Sequence, residues 1–413
     1  MSNLERPSLG ARVGGVVSRV YPKLNDDVWH FQRRRHTRAQ VLELEQAISA
    51  LPNFSMSPER PIHLIVCAHH GPDAHNWHPG GGNLFFEVYQ SAVEILGPDN
   101  VTLFGVASDE TETSWHRRFL STLGRTQATH VIAQIENDPN QANNWSWDVI
   151  ATILEAKWDG VLIAMMYDSA FHWLRLRTRR LGKLFSRMLI GDICEPMDDF
   201  IRKGQPEVGP ITMPWSQASV DAVEAYVAGK PKKYDVTFIG ALYDYRAELI
   251  EQLRASGFEV AVNPHRADET KTYDESRANQ PTYLDYMAGL AQSELTINFS
   301  LASGGPHEQY KIRVQEASLV GCICLTDDKE RSRLFFAPNE YAYFESISKL
   351  NAVVTQRLAD REKLRRDQAD ARARAHELAK YDFWGRIEDG LVARGLRPLT
   401  NVKPPVLPRS VAS

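Results

Sequence analysis

The sequence predicts an α/β protein of two Rossmann-like, parallel-sheet domains in series. Three observations carry this. At 413 residues the chain exceeds the roughly 250–300 at which a single core stops growing. Short, almost wholly apolar runs alternate with segments of helical period, as strands buried on both faces do. That alternation breaks at a polar, lysine-rich stretch and then starts again.

In the first half, IHLIVCA (62–68) follows Pro61 and ends in a loop rich in glycine and histidine, so it reads as the first strand. After Gly80, Gly81 and Gly82, NLFFEVYQSAVEIL has apolar residues at helical spacing and stops at Gly97-Pro98. VTLFGVA (101–107), THVIAQIE (129–136) and DGVLIAMMYD (159–168) are further strands, with WDVIATILEAK (147–157) a helix between the last two. KPKKYDVTFIG (230–240) opens the second half. There RAELIEQLRASG, YLDYMAGLAQSE and YKIRVQEASLVG read as helices, and FEVAVN, LTINFS and CICLT as strands. A long charged helix then leads into YDFWGRIEDGLVARG, and a solvated surface helix is the expectation for it. The expected organisation is a partly helical extension over 1–60, an N-terminal domain over 61–225 and a C-terminal domain over 234–380. A polar linker is expected near 217–233, and a final helix and tail, 381–413, cross back to the N-terminal domain.

Composition narrows the function classes. The net charge of −4 leaves no basic footprint of the kind nucleic-acid binding produces. No apolar run approaches the roughly 18 residues of a membrane span, and the N-terminus lacks the apolar core of a signal peptide, so a cytoplasmic location is expected. The four cysteines, Cys67, Cys194, Cys322 and Cys324, fit no zinc spacing, and reduced, buried thiols are expected.

In open parallel sheets, ligands bind beyond the carboxyl ends of the strands. The richest such loop follows LTINFS and reads SGGPHEQYKIRVQEASLVG. Gly304 and Gly305 would let backbone amides approach a phosphate or sugar closely. Glu308 falls near the expected helix start, within reach of a sugar hydroxyl. Glu316, two turns on, can accept two hydrogen bonds from a vicinal diol. Lys311 and Arg313 add positive charge for a pyrophosphate. From spacing alone, ordinary surface charges on an amphipathic helix are an equally open reading.

The segment Glu308 to Glu316 resembles the E-x7-E motif of retaining GT-B glycosyltransferases. The stretch from Lys311 to Leu325, the F-x-P-x-x-E segment in LFFAPNEYAYFES, the opening YDVTFIGALYDYRAELIEQL and the late tryptophan of YDFWGRIEDGL resemble the spore-maturation CgeB-type branch of that superfamily. The resemblance spans most of 234–395. It implies two Rossmann-like domains facing a cleft, with an acceptor domain first and a nucleotide-sugar domain second. Glu316 would then bind the ribose, Arg246 and Gly240 would face the pyrophosphate, and Glu308 would contact the donor sugar. The glycines usual after the first glutamate are replaced here by Gln309-Tyr310-Lys311. In the first domain, Gly81 and Gly82 resemble the glycine loop after the first GT-B strand, and Asp168 sits where a His-Asp or similar pair ends a strand. A capping role for Asp168 is as open.

The implied activity is metal-independent transfer of a sugar from a nucleoside-diphosphate sugar to an unknown acceptor, with retained configuration and no cofactor. Two alternatives differ in class. One is a non-catalytic nucleotide-sugar binding or scaffold protein. The other is a zinc-dependent sugar deacetylase, because HHGPDAHNWH (69–78) gathers His69, His70, His75 and His78 around Asp73, all of them residue types that bind zinc. That loop faintly resembles the A-H-P-D-D-E loop of such deacetylases but lacks its acidic pair. A third role for the loop, with His69 bonding a sugar or acceptor, belongs to the transferase reading.

Overall fold

A computed structural model describes residues 37–49, 60–69, 72, 74–107, 109–135, 147–167, 172–192, 207–240, 244–264, 282–300 and 310–405. The first sheet takes β1 (Leu64–His69), β2 (Val101–Val106), β3 (His130–Gln134), β4 (Val161–Met166), β5 (Met188–Asp192) and β6 (Glu207–Val208). Its spatial order is β2-β1-β3-β4-β5-β6, and every pair is parallel. Between the strands run α1 (Leu84–Leu96), α2 (Glu112–Thr126), α3 (Asp148–Lys157) and α4 (His172–Leu184). Alternate strand residues serve opposite faces. Ile65, Val131 and Leu162 pack with Trp115, Phe119 and Trp147 on one side, while Val66, Ile132 and Ile163 join a second core on the other.

The second sheet holds β7 (Tyr234–Phe238), β8 (Val260–Val262), β9 (Ser293–Asn298), β10 (Ile323–Thr326) and β11 (Ala342–Tyr343), in the order β11-β10-β9-β7-β8, again all parallel. Its helices are α5 (Gln217–Val227), α6 (Asp244–Ala255), α7 (Tyr283–Ala291), α8 (Arg313–Leu319), α9 (Ile347–Ala359) and α10 (Arg361–Ala393). Counted from its own first strand, this sheet runs second-first-third-fourth-fifth, the same order as the first five strands of the other. One doubly wound topology is therefore used twice without a sequence repeat. Cys67, Cys322 and Cys324 are buried free thiols, and burial pushes Cys322 up to about 12.

Two connections differ from the sequence expectation. Residues 217–227 are not an open polar linker but the helix α5, capped by Ser216. Its Val220 and Val223 enter the core of the second domain beside Met287 and Leu290. The charged segment and the following YDFWGRIEDGL form one helix, the 33-residue α10, about 50 Å long at 1.5 Å per residue. One face is buried along its whole length. Leu364 and Ala371 pack into the second domain, and Phe383, Trp384, Ile387 and Leu391 fill the back of the first sheet. Most of the charges that suggested a solvated helix occupy its other face, but Asp367, Arg374, Asp382 and Glu388 are buried with the apolar residues and hydrogen-bonded there.

The return of the chain also buries a histidine. His130, fully buried at the start of β3, donates from Nε2 to the Arg397 carbonyl at 2.9 Å and faces the Thr129 hydroxyl through Nδ1, also at 2.9 Å. Burial lowers its pKa from 6.5 to about 4. The unfolded chain therefore takes up this proton first as pH falls. Stability from neutral His130 is whole above pH 6.5 and drains away towards pH 4, a loss of about 3 kcal/mol. Denaturant titrations should show the gap between wild type and His130→Gln narrowing by about that amount from pH 7 to 4; a constant gap contradicts it.

Candidate functional site

The second sheet reverses its winding at β7, so its crevice opens beyond the carboxyl ends of β7 and β9. Gly240, just past β7, has φ 144°, a conformation that favours glycine. Its backbone is clamped by Asn263, which follows β8. The Gly240 N–H donates to Asn263 Oδ1 at 2.8 Å, and Asn263 Nδ2 donates back to the Gly240 carbonyl at 3.1 Å. Asn263 itself sits at φ 44°. Arg313 reaches this turn from α8, since a Cβ on Gly240 would lie 3.9 Å from Arg313 Nη2. Arg246, in the first turn of α6, spans the same crevice. Its guanidinium lies 5.7 Å from the ring centre of Phe238 at the end of β7, and 5.0 Å from that of Phe299 just beyond β9. Two cations thus stand by the end of β7, on the side of the sheet where ligands of open parallel sheets bind.

Glu316 completes the group. Its residue is only 7% exposed, and each carboxylate oxygen accepts one tyrosine hydroxyl. Tyr283 donates to Oε1 and Tyr286 to Oε2, both at 2.6 Å. Tyr286 is also hydrogen-bonded to Arg313, so cation, phenol and carboxylate form one chain. Burial, reinforced by the Glu316 charge, raises both phenol pKa values well above 10, which keeps them protonated donors. The pair Tyr283 and Tyr286 was not singled out from sequence, although tyrosines three apart on a helix share a face. Asn263 was missed as well, because a strand-end asparagine carries no signal until its partner turn is known.

α8 begins at Arg313, later than the sequence suggested. Lys311 consequently precedes the helix, and Glu316 sits in its first turn rather than two turns in. Glu308, Gly304, Gly305 and Asp168 lie outside the described residues, as does the side chain of His69. The His69 backbone ends β1, at the point where the first sheet reverses its winding. His75 and His78 are exposed, and His78 Nδ1 meets the Pro79 carbonyl at 3.0 Å. Among the described residues no three His, Cys, Asp or Glu side chains converge, and no helix is long and apolar enough to cross a membrane.

The glycine loop is part of the domain junction. A Cβ on Gly82 would come within 2.5 Å of the Tyr283 ring, one on Gly80 within 2.8 Å of Leu284, and one on Gly81 within 2.2 Å of the Asn76 carbonyl oxygen. Gly80 and Gly82 are therefore required for the first domain to approach α7, and Gly81 for its own turn. The Gly80 N–H donates to Ser219 on α5 at 3.0 Å. Ser219 in turn donates to the buried Glu87 of α1 at 2.6 Å. The two domains are joined more closely than two sparse connectors would imply.

Among solved structures, the chain is similar to sucrose-phosphate synthase from Thermosynechococcus elongatus, at 11% identity over 81% of this chain and 98% of that one, with a TM-score of 0.48. It is also similar to Anabaena HepE in complex with UDP-glucose, at 12% identity over 81% and 99%, TM-score 0.46. A third is T4 phage BGT in complex with UDP and Mn2+, at 9% identity over 80% and 99%, TM-score 0.42. No curated protein matches the chain. Residues 246–391, which carry Arg246, Lys311, Arg313 and Glu316, match the family described as Glycosyl transferase-like.

Proposed function

We propose that the protein is a GT-B glycosyltransferase that moves a sugar from a nucleoside-diphosphate sugar to an acceptor held by the first domain. The observation that carries this is the placing of Arg246 by Phe238 and Phe299, of Arg313 beside Gly240, and of Glu316 on Tyr286, itself bonded to Arg313, at the crevice of the second sheet. All three charged residues lie within the segment that matches the glycosyltransferase-like family. Each group has a task there. Glu316 accepts hydrogen bonds from the ribose diol. Arg313, Lys311 and Arg246 neutralise the pyrophosphate, aided by the N-terminus of α6, where the helix dipole favours an anion.

Catalysis in such a site is positioning and charge stabilisation. As the glycosidic bond to the β-phosphate breaks, negative charge grows on the departing diphosphate and positive charge on the sugar ring. Cationic side chains and helix amides can carry the first without a divalent ion, so transfer is proposed to be metal-independent. Glu308 is the residue proposed to face the donor sugar, and retention of configuration follows from its resemblance to the first glutamate of the motif. The acceptor is bound on the other wall, where His69 and Asp168 are the proposed contacts.

A thermal-shift panel of UDP, ADP, GDP and CDP tests the binding step. A nucleotide at 100 times its dissociation constant stabilises by about 2.7 kcal/mol, a rise easily measured. Turnover of the matching nucleotide sugar, by transfer or slow hydrolysis, should persist in excess EDTA. No shift with any diphosphate overturns the proposal. Binding without turnover reduces the protein to a nucleotide-sugar binding scaffold, and loss in EDTA restored by zinc points instead to the histidine loop.

A further inference from the structure

We infer that Tyr283 and Tyr286 are positioning residues that fix the Glu316 carboxylate for a ribose diol, and so set the preference for ribo- over deoxyribonucleotides. The inference rests on the proposed role of Glu316. It starts from lone-pair counting. A carboxylate offers about four acceptor positions, two on each oxygen. The tyrosine hydroxyls take one on each, Tyr283 on Oε1 and Tyr286 on Oε2, both at 2.6 Å. One position per oxygen remains, which matches the two adjacent hydroxyls of a ribose one for one.

The short contacts also remove a freedom that binding would otherwise have to remove. A glutamate side chain turns broadly about its last torsion, and a ligand that needs both oxygens must freeze that rotation. Two phenols anchored on one helix freeze it in advance, which is preorganisation in the strict sense of lowering the ordering cost of binding. Their spacing is a helical accident put to use. Positions 283 and 286 lie three apart on α7 and face the same way, with ring centres 5.4 Å apart. Tyr286 also bonds Arg313, so the phosphate-facing cation and the ribose-facing carboxylate are held in one register. Tyr283 has a second contact, the Gly82 backbone of the other domain, whereas Tyr286 is the cleaner test.

The experiment is calorimetric titration of wild type and Tyr286→Phe with UDP, ADP, GDP and CDP and with the 2′-deoxy form of each. Phenylalanine keeps the ring and removes only the hydroxyl; Tyr283→Phe is the second variant, should the first fail to fold. Wild type should prefer the ribonucleotide by tenfold or more. In the variant that preference should fall at least threefold towards unity, over and above any common loss that both ligands share through Arg313. A purely structural role would weaken both ligands equally and leave the ratio intact, which overturns the inference. An increased ratio overturns it too, since the phenols would then compete with the diol. Equal binding of both sugars to wild type removes the diol role of Glu316, and no binding of any diphosphate removes the glycosyltransferase reading beneath it.

Discussion

Glu316→Gln should lower affinity for the cognate nucleoside diphosphate about a hundredfold, with a comparable fall in kcat/KM. The size follows from what is lost. Hydrogen bonds to a charged acceptor contribute about 1.5–3 kcal/mol each, and a diol makes two. Glutamine keeps the shape of the side chain, but its amide nitrogen cannot accept a hydrogen bond, so the tyrosine and the ribose hydroxyl that share that position both lose their acceptor. The tyrosine, part of the folded chain at 2.6 Å, can turn to receive the amide, and the ribose contact is the one lost. Some stability should go as well, because Arg313 loses the carboxylate that favours its charge. The two consequences separate the alternatives. If Glu316 only ties α7 to α8, denaturation midpoints fall and the dissociation constant stays put. An unchanged dissociation constant, measured by calorimetry on folded variant, therefore refutes ribose binding at this position.

Much of this architecture is legible in the sequence because parallel sheets buried on both faces write themselves as apolar runs. IHLIVCA, VLIAMM and LTINFS have few other readings, and the glycines at 80–82 and 321 punctuate the helices between them. The two arginines of the site, Arg246 and Arg313, are picked out in the sequence because each falls in the first turn of a helix that follows a strand. Three things were hidden, for physical reasons. α5 reads as linker because Gln217, Asp221 and Glu224 make its outer face polar, while Val220 and Val223 are the apolar side chains it buries against α7. α10 was divided in two because its buried stripe changes partner halfway, from small alanines in the second domain to Phe383 and Trp384 in the first. The tyrosine cradle of Glu316 depends on the packing of α7 against α8, a tertiary fact that no local pattern encodes. The glycine loop shows the same limit from the other side. Three consecutive glycines announce close approach, but only the fold says that Gly80 and Gly82 approach a neighbouring helix.

Glu87→Ala should cost about 4 kcal/mol. Glu87 lies 7% exposed on α1, in the first domain, yet its bonds all go to the start of α5. Oε2 accepts the Ser216 N–H and hydroxyl, both at 2.9 Å, and Oε1 accepts the Ser219 hydroxyl at 2.6 Å. Two turns further on, Glu94 accepts the Gln217 N–H at 3.0 Å. The free amides at the head of α5 are thus met by carboxylates from the other domain, where the helix dipole favours negative charge. Alanine leaves the buried Ser216 amide and two hydroxyls without their acceptor, at about 1–3 kcal/mol for each unsatisfied group. Glutamine should cost far less, about 1 kcal/mol, because its carbonyl still accepts and the Ser219 hydroxyl can turn to receive its amide. Burial raises the Glu87 pKa above 4.5, against the pull of its serine partners. The folded chain therefore holds this proton longer than the unfolded one. Its contribution is greatest below pH 4.5 and declines as pH rises through the folded value, so the gap between wild type and Glu87→Gln should widen on acidification. Because the same residue is bonded to Ser219, which receives the Gly80 amide, its loss also slackens the junction between domains. Urea unfolding of Glu87→Ala followed by probes in each domain should then separate into two transitions. A single transition within 1 kcal/mol of wild type would show that the Glu87 contacts are not what couples the domains.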